Sequence, residues 1–251
     1  IPLRLVGSEM CIRDSNYPHW GVSMGTDSVP RFRIFDGIQD YEPILASMQA
    51  HSAAIRSENA DEAVWLLEHA PVYTAGTSAI DADLLNAAGV ATVRTGRGGQ
   101  WTYHGPGQRV GYVMLDLAAR GPDVRRYVHN LEAWIIDVLD GVGVAGVRRD
   151  GLPGIWVETG QSLSGLDKIA AIGVRISRWV SWHGIAINNN PDLGAYDAIV
   201  PCGVRDGGVT SLAALGIEID MDELDALLQA RFARHLPVSY THLTLPTILL
   251  V

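Results

Sequence analysis

Cysteine is scarce in this chain of 251 residues. Only Cys11 and Cys202 occur, with no C-x-x-C spacing, which excludes a disulfide framework and a thiolate zinc site. No apolar run reaches the roughly 18 residues that read as a membrane span. Basic charge is also short: 19 Lys and Arg stand against 28 Asp and Glu, a formal net charge of -9, and there is no Lys/Arg run. Such a chain is a poor general binder of nucleic acid or anionic lipid. The G-x-x-x-x-G-K-[ST] phosphate loop and the G-x-S-x-G nucleophile elbow are missing. His19, His51, His69 and His129 form no metal-ligand spacing, so neither a metal nor another cofactor is expected.

At 47% hydrophobic and 19% charged residues, with mean hydropathy +0.12, the chain can bury a substantial core. It reads as a globular, cytoplasmic protein of one large domain or two small ones. No repeat or low-complexity linker divides it.

Both ends look foreign. One DNA word encodes Met10-Cys11-Ile12-Arg13-Asp14-Ser15, and its reverse complement encodes Val238-Ser239-Tyr240-Thr241-His242-Leu243. The word resembles the transposon end of sequencing adapters. Residues 1–15 and 238–251 are therefore expected to be translated adapter, with 16–237 as the native domain and Cys202 as its one cysteine. A native apolar arm at each end is the alternative.

Apolar spacing predicts helices over Asp36–Asn59, Asp123–Asp140 and Met221–His235, and a short one from Asp81 through Ala88 stopped by Gly89. Strands are expected at Glu62–His69, Val90–Thr95, Val110–Leu117, Ile155–Val157, Ile169–Ile176 and Val180–Ile187. This interleaving implies an α/β (α+β) single domain built on one mixed β-sheet flanked by helices.

Three segments carry chemistry. Arg94–Gln108 holds five glycines, Arg97 and His104; its backbone N–H groups suit an oxyanion or carbonyl, although the glycines alone favour a plain structural loop joining two strands. Lys168 opens an apolar strand, where a lysine is commonly a solvated gatekeeper. Cys202 lies between Pro201 and Gly203, which predicts a turn or strand end rather than the inert core usual for a lone cysteine. His183 reads as a hydrogen-bonded core histidine beside Trp179 and Trp182.

In this order the segments resemble the lipoyl(octanoyl) transferase family. The matching stretches are RGGQWTYHGPGQ (Arg97–Gln108), KIAAIGVR (Lys168–Arg175), HGIAIN (His183–Asn188) and VPCG followed by GVTSL, with weaker support from EHAPVYTAG (Glu68–Gly76). The resemblance spans about Trp65 to Leu215. It implies the fold of lipoate and biotin protein ligases and an acyltransferase of protein lipoylation. Such an enzyme moves an octanoyl chain from octanoyl-acyl carrier protein to a lysine of lipoyl domains, on 2-oxoacid dehydrogenase E2 subunits and glycine cleavage H protein. Cys202 then matches the acyl-thioester nucleophile and Lys168 the lysine that activates it. Arg97, Gly98, Gly99, Gln100, Trp101, Thr102, Tyr103 and His104 match the first acyl-binding stretch. Ala171, Ile172 and Gly173 match a second, and Gly184, Ile185 and Ala186 a third.

The chain departs from the family at Ala70, where a second proline is frequent, at Trp101, a smaller residue elsewhere, and in the idiosyncratic stretch before Lys168. These departures bear on loop geometry rather than chemistry. Because acyl carrier proteins are acidic, Arg94, Arg97, Arg109, Arg148, Arg149, Arg175 and Arg178 are expected to form a local basic rim. The rival readings are an ATP-dependent lipoate or biotin-type ligase and a non-catalytic carrier-binding protein. The genomic locus is expected to diverge from this sequence at both junctions; native codons running through them would refute the adapter origin.

Overall fold

The computed structural model describes residues 29–200 and 207–237; both proposed adapter ends and Cys202 lie outside these described residues. In chain order the elements are β1 (Arg31–Gln39), α1 (Tyr41–Ser57), β2 (Ala63–His69), β3 (Val72–Ala75), β4 (Ala91–Arg94) and β5 (Trp101–His104). There follow β6 (Gln108–Met114), α2 (Leu117–Arg120), α3 (Val124–Asp140), β7 (Val147–Arg149) and β8 (Leu152–Glu158). The long hairpin β9 (Leu166–Ser177) and β10 (Val180–Asn188) then leads to β11 (Gly208–Val209) and α4 (Met221–His235).

One mixed sheet runs β1-β2-β6-β10-β9-β8-β7, with β11 added parallel to β9. This agrees with the expected α/β class. The expected single sheet is corrected by a second, three-stranded one in the order β4-β3-β5. Its strand β5 lies inside the stretch read as a Gly-rich loop.

Two expected helices change. Asp36–Gln39 ends β1, which pairs parallel with β2, and α1 begins only at Tyr41. Gly37 sits at φ +65° and Asp40 at ψ 139°, neither of which a helix accepts. The helix expected over Asp81–Ala88 shrinks to the 3-10 turn Asp81–Asp83. The N–H groups of Leu85 and Asn86 donate instead to the Ala198 carbonyl, at 2.8 and 3.2 Å, so tertiary partners take the backbone that a helix would use.

The sheet is covered on both faces. Tyr127, Leu131, Trp134, Ile135 and Val138 of α3 and Leu224, Leu228 and Phe232 of α4 pack on one face, against Val64, Leu66, Val113, Ile155, Ile169, Ile185 and Ile187. The two helices start on side-chain caps: Asp123 accepts from Arg126 N–H, and Asp220 with Glu223 closes a capping box. Helix α1 covers the other face, where Ile44, Met48 and Ile55 meet Trp65, Leu67, Val110, Tyr112, Met114 and Ala186.

That second face holds a buried polar cluster. The Gln39 carbonyl can only accept, so His69 donates to it from Nδ1 (3.0 Å) and accepts the Tyr112 hydroxyl at Nε2 (2.7 Å). His104 donates from Nδ1 to Gln108 Oε1 at 2.7 Å, and its ring lies beside those of Tyr41 and His69. His183 stacks on Trp182 with φ +58°, and its buried Nε2 has no hydrogen-bond partner among the described residues. The core position expected for His183 is correct, whereas the expected hydrogen bonding is incomplete.

Burial lowers the pKa of His69 to about 4 and those of His104 and His183 to about 3, from an ordinary 6.5. The Arg97 guanidinium depresses the latter two further. Protonation thus favours the unfolded chain. From these three sites stability should be complete above about pH 6.5 and fall as the pH drops towards 4. Asp225 offsets this in part: burial raises its carboxyl pKa to about 6, and it therefore takes up a proton in the fold. Urea unfolding between pH 7 and pH 4 measures that slope; a flat profile would refute three neutral buried imidazoles.

Candidate active site

Lys168 is the only lysine of the chain. Its position depends on a one-residue bulge. Ile155 pairs with Ala170 while the next residue, Trp156, pairs with Lys168, leaving Ile169 as the extra residue of β9. Ile169 and Ala170 therefore both pack into the α3/α4 core. Lys168 is turned to the opposite face, the side on which Ala171 packs against the α1 cluster.

The lysine is buried, at 6% exposure. Nζ donates to the Pro153 carbonyl at 2.9 Å and lies 4.7 Å from the centre of the Trp156 ring, a cation–π distance. Gly154 makes this seat possible. At φ +117°, a Cβ there would lie 2.6 Å from the Ala170 carbonyl oxygen and 3.3 Å from Lys168 Nζ. On the other side β11 pairs with β9, with Val209 opposite Lys168, and Thr210 N–H donates to the Lys168 carbonyl at 2.9 Å. The neighbouring Asp167 accepts from Gly208 N–H (2.9 Å) and from the Thr159 hydroxyl.

The two small-residue stretches come together. Gly173 pairs with Gly184, Ile172 with Ile185, and Ala171 with Ala186 across the β9–β10 ladder. Ala171 and Ala186 face α1, whereas Ile172 and Ile185 pack into the α3/α4 core. The isoleucine side chains are thus directed away from Lys168. The Gly-rich segment folds onto the same ladder: Gly98 N–H donates to the Val174 carbonyl at 2.9 Å. A Cβ at Gly173 would stand 3.2 Å from both Gly98 O and Arg97 Cδ, so glycine there admits the covering loop.

Within that loop Arg97 is an internal strut. It is 7% exposed and donates to the Thr74 carbonyl (2.6 Å) and hydroxyl (2.9 Å) and to the carbonyls of Gln100 (2.9 Å) and Gly98 (3.0 Å). Gly99 and Gln100 complete the turn, Thr102 sits half-buried in β5, and Trp101 and Tyr103 are buried with Tyr73 beneath the small sheet. Trp101 Nε1 donates to the Ile80 carbonyl at 2.9 Å. His104, at the end of β5, places its ring in the buried imidazole cluster.

The expected basic rim needs correction. Arg97 is spent on its own loop, and Arg109 is buried 2.9 Å from Asp225. Arg94 pairs with Asp81 and Arg148 with Glu132. Arg175 and Arg178 are exposed, and Arg149 lies over the Trp156 ring at 4.7 Å.

Cys202 lies outside the described residues, but both flanks of its segment are placed. Upstream, Val200 N–H donates to the Asp83 carbonyl at 2.8 Å. Downstream, Gly207 packs against Trp156, Arg149 and Leu166, and β11 follows alongside Lys168. Sequence reasoning missed Pro153, Gly154 and Trp156, which seat the lysine. The available signal was G-I-W at Gly154–Trp156, together with a basic complement that is otherwise all arginine.

Comparison with known proteins identifies the family and the fold. The lipoyl protein ligase A/B catalytic domain family matches residues 40–233. An octanoyltransferase of Acidiphilium cryptum is 59% identical over 203 residues, covering 79% of this chain and 88% of the relative. One from Cereibacter sphaeroides is 51% identical over 216 residues, covering 84% and 99%. A bi-partite lipoate protein ligase from Thermoplasma acidophilum shares the fold at TM-score 0.63 and 15% identity, over 85% of this chain and 88% of that one. This chain belongs to the lipoyl protein ligase A/B catalytic domain family.

Proposed function

We propose that this protein transfers an octanoyl group from octanoyl-acyl carrier protein to the acceptor lysine of lipoyl domains, through an acyl-thioester on Cys202. The observation that carries this reading is the seat of Lys168: the chain's one lysine, buried at the strand that receives the polypeptide directly after the Cys202 segment. The acceptors would be the lipoyl domains of 2-oxoacid dehydrogenase E2 subunits and glycine cleavage H protein, in the cytoplasm. Among the described residues no helix is long and apolar enough to cross a membrane.

Splitting the transfer into two steps through a covalent intermediate lowers each barrier. In the first, Cys202 Sγ attacks the thioester carbonyl, an S–C bond forms, and the carrier thiol leaves with a proton. One thioester replaces another, so no nucleotide is consumed. In the second, the neutral acceptor amine attacks the acyl-enzyme, the C–N bond forms, and the Cys202 thiolate leaves. Lys168 as ammonium supports the thiolate in the first step; as amine it takes the proton of the attacking nitrogen in the second. Each half passes through an oxyanion whose stabilisation is worth about 3–4 kcal/mol per well-placed donor.

The acyl chain would lie on the small-residue face of β9 and β10, along Ala171, Gly173, Gly184 and Ala186, beneath the Arg97–His104 segment. Burial there contributes about 0.8 kcal/mol per CH₂. Arg175 and Arg178 are the exposed arginines of the expected rim that would face an acidic carrier.

Incubation with octanoyl-acyl carrier protein in the absence of ATP, followed by intact-mass measurement, is expected to show one octanoyl adduct that Cys202→Ser abolishes. Lys168→Ala is expected to slow amide formation by about a hundredfold or more. An active wild-type protein that carries no adduct, or that requires ATP, would overturn the covalent route.

A further inference from the structure

Asn188 ends the H-G-I-A-I-N stretch, and neither the acyl slot nor the proton transfers use it. Its carboxamide is 3% exposed, where an amide group is costly unless its donors and acceptors are met. Here they are met by residues from three separate segments. Asn188 Oδ1 accepts from Gln108 Nε2 at 2.9 Å and from the Tyr196 hydroxyl at 3.2 Å. Asn188 Nδ2 donates to the Thr210 carbonyl at 2.9 Å. Gln108 closes the group by donating to the Tyr196 hydroxyl at 2.8 Å, and its Oε1 accepts from His104.

The order of these partners along the chain is informative. Gln108 and His104 belong to the Gly-rich segment, Tyr196 precedes residues 201–206, and Thr210 follows them. Thr210 also holds Lys168, through its N–H on the Lys168 carbonyl. One carboxamide therefore ties the acyl-covering segment, the entry to 201–206, the exit from it and, through Thr210, the Lys168 strand.

We propose that Asn188 is a positioning residue that sets the spacing between Lys168 and the two ends of the segment bearing Cys202. The inference rests on the Cys202 thioester reading. It acts through backbone placement and requires no contact between Asn188 and substrate. Asn188→Asp keeps an acceptor for Gln108 and Tyr196 but turns a carboxylate oxygen towards the Thr210 carbonyl. Tyr196→Phe removes one hydroxyl from the junction and leaves the ring packing.

The test is single-turnover transfer from octanoyl-acyl carrier protein on the full chain, with KM for the carrier and thermal melting recorded for each variant. In Asn188→Asp the rate of octanoyl-enzyme formation is expected to fall about tenfold or more while KM stays within about twofold, because a misplacement of about 1 Å is costly to chemistry and not to docking. Tyr196→Phe is expected to show the same split to a smaller degree, and serves alone if Asn188→Asp does not fold. Wild-type adduct rates in folded variants would overturn the positioning role and leave the covalent reading standing. Loss confined to melting temperature, or shared equally by KM, would overturn it too. Absence of any adduct on active wild-type protein would instead overturn the covalent reading beneath it.

Discussion

The bulge at Ile169 governs the geometry of the site. Strand residues alternate faces with a period of two, so one extra residue reverses every side chain beyond it. Without the bulge, in a strand alternating regularly through Ile169, Lys168 would share the face of Ala170 and point into the core of Leu131, Trp134 and Ile155. An unpaired ammonium there would face a desolvation cost of several kcal/mol. With it, Ile169 and Ala170 satisfy the core while Lys168 turns to the face of Ala171 and Ala186. Gly154 and the Pro153 carbonyl make room for the amine and orient it, and Trp156 covers it with an indole face.

A second constraint is where positive charge is allowed to reside. Arg97 is buried, but Thr74, Gln100 and Gly98 oxygens take its donors, so its charge is part of the loop that covers β9 and β10. The neighbouring imidazoles stay neutral because burial and this guanidinium both oppose their protonation. Neutral rings can pack beside an apolar chain at lower cost than charged ones. In the fold Arg97 fastens the loop that carries it.

Much of the architecture was legible. Helices α3 and α4 show clear apolar periods and capped starts, and β9 and β10 are long enough to stand out. The missed strands have local reasons. β1 is interrupted by Asp36-Gly37 beside a helical apolar pattern, so its edge pairing with β2 was hidden. β3, β7 and β11 span 4, 3 and 2 residues, too short for a periodic signal. β5 lies among glycines and exists because β3 supplies its hydrogen bonds. Among site residues, Lys168 and the small-residue stretches were recognisable from motif and order, whereas Trp156 and Asn188 were ordinary apolar and polar positions until their neighbours were known.

The sequence by itself determined the class of fold, the order of the motifs and the scarcity of cysteine and lysine that singles out Cys202 and Lys168. Those are properties of residue type and spacing along the chain, which a linear reading contains in full. Only the tertiary structure decided which face Lys168 occupies, that Ile172 and Ile185 turn away while Ala171 and Ala186 do not, and that Asn188 joins Gln108, Tyr196 and Thr210. Those outcomes depend on strand register and on contacts between residues far apart in the chain. A one-residue register change reverses them with no change in composition or local propensity.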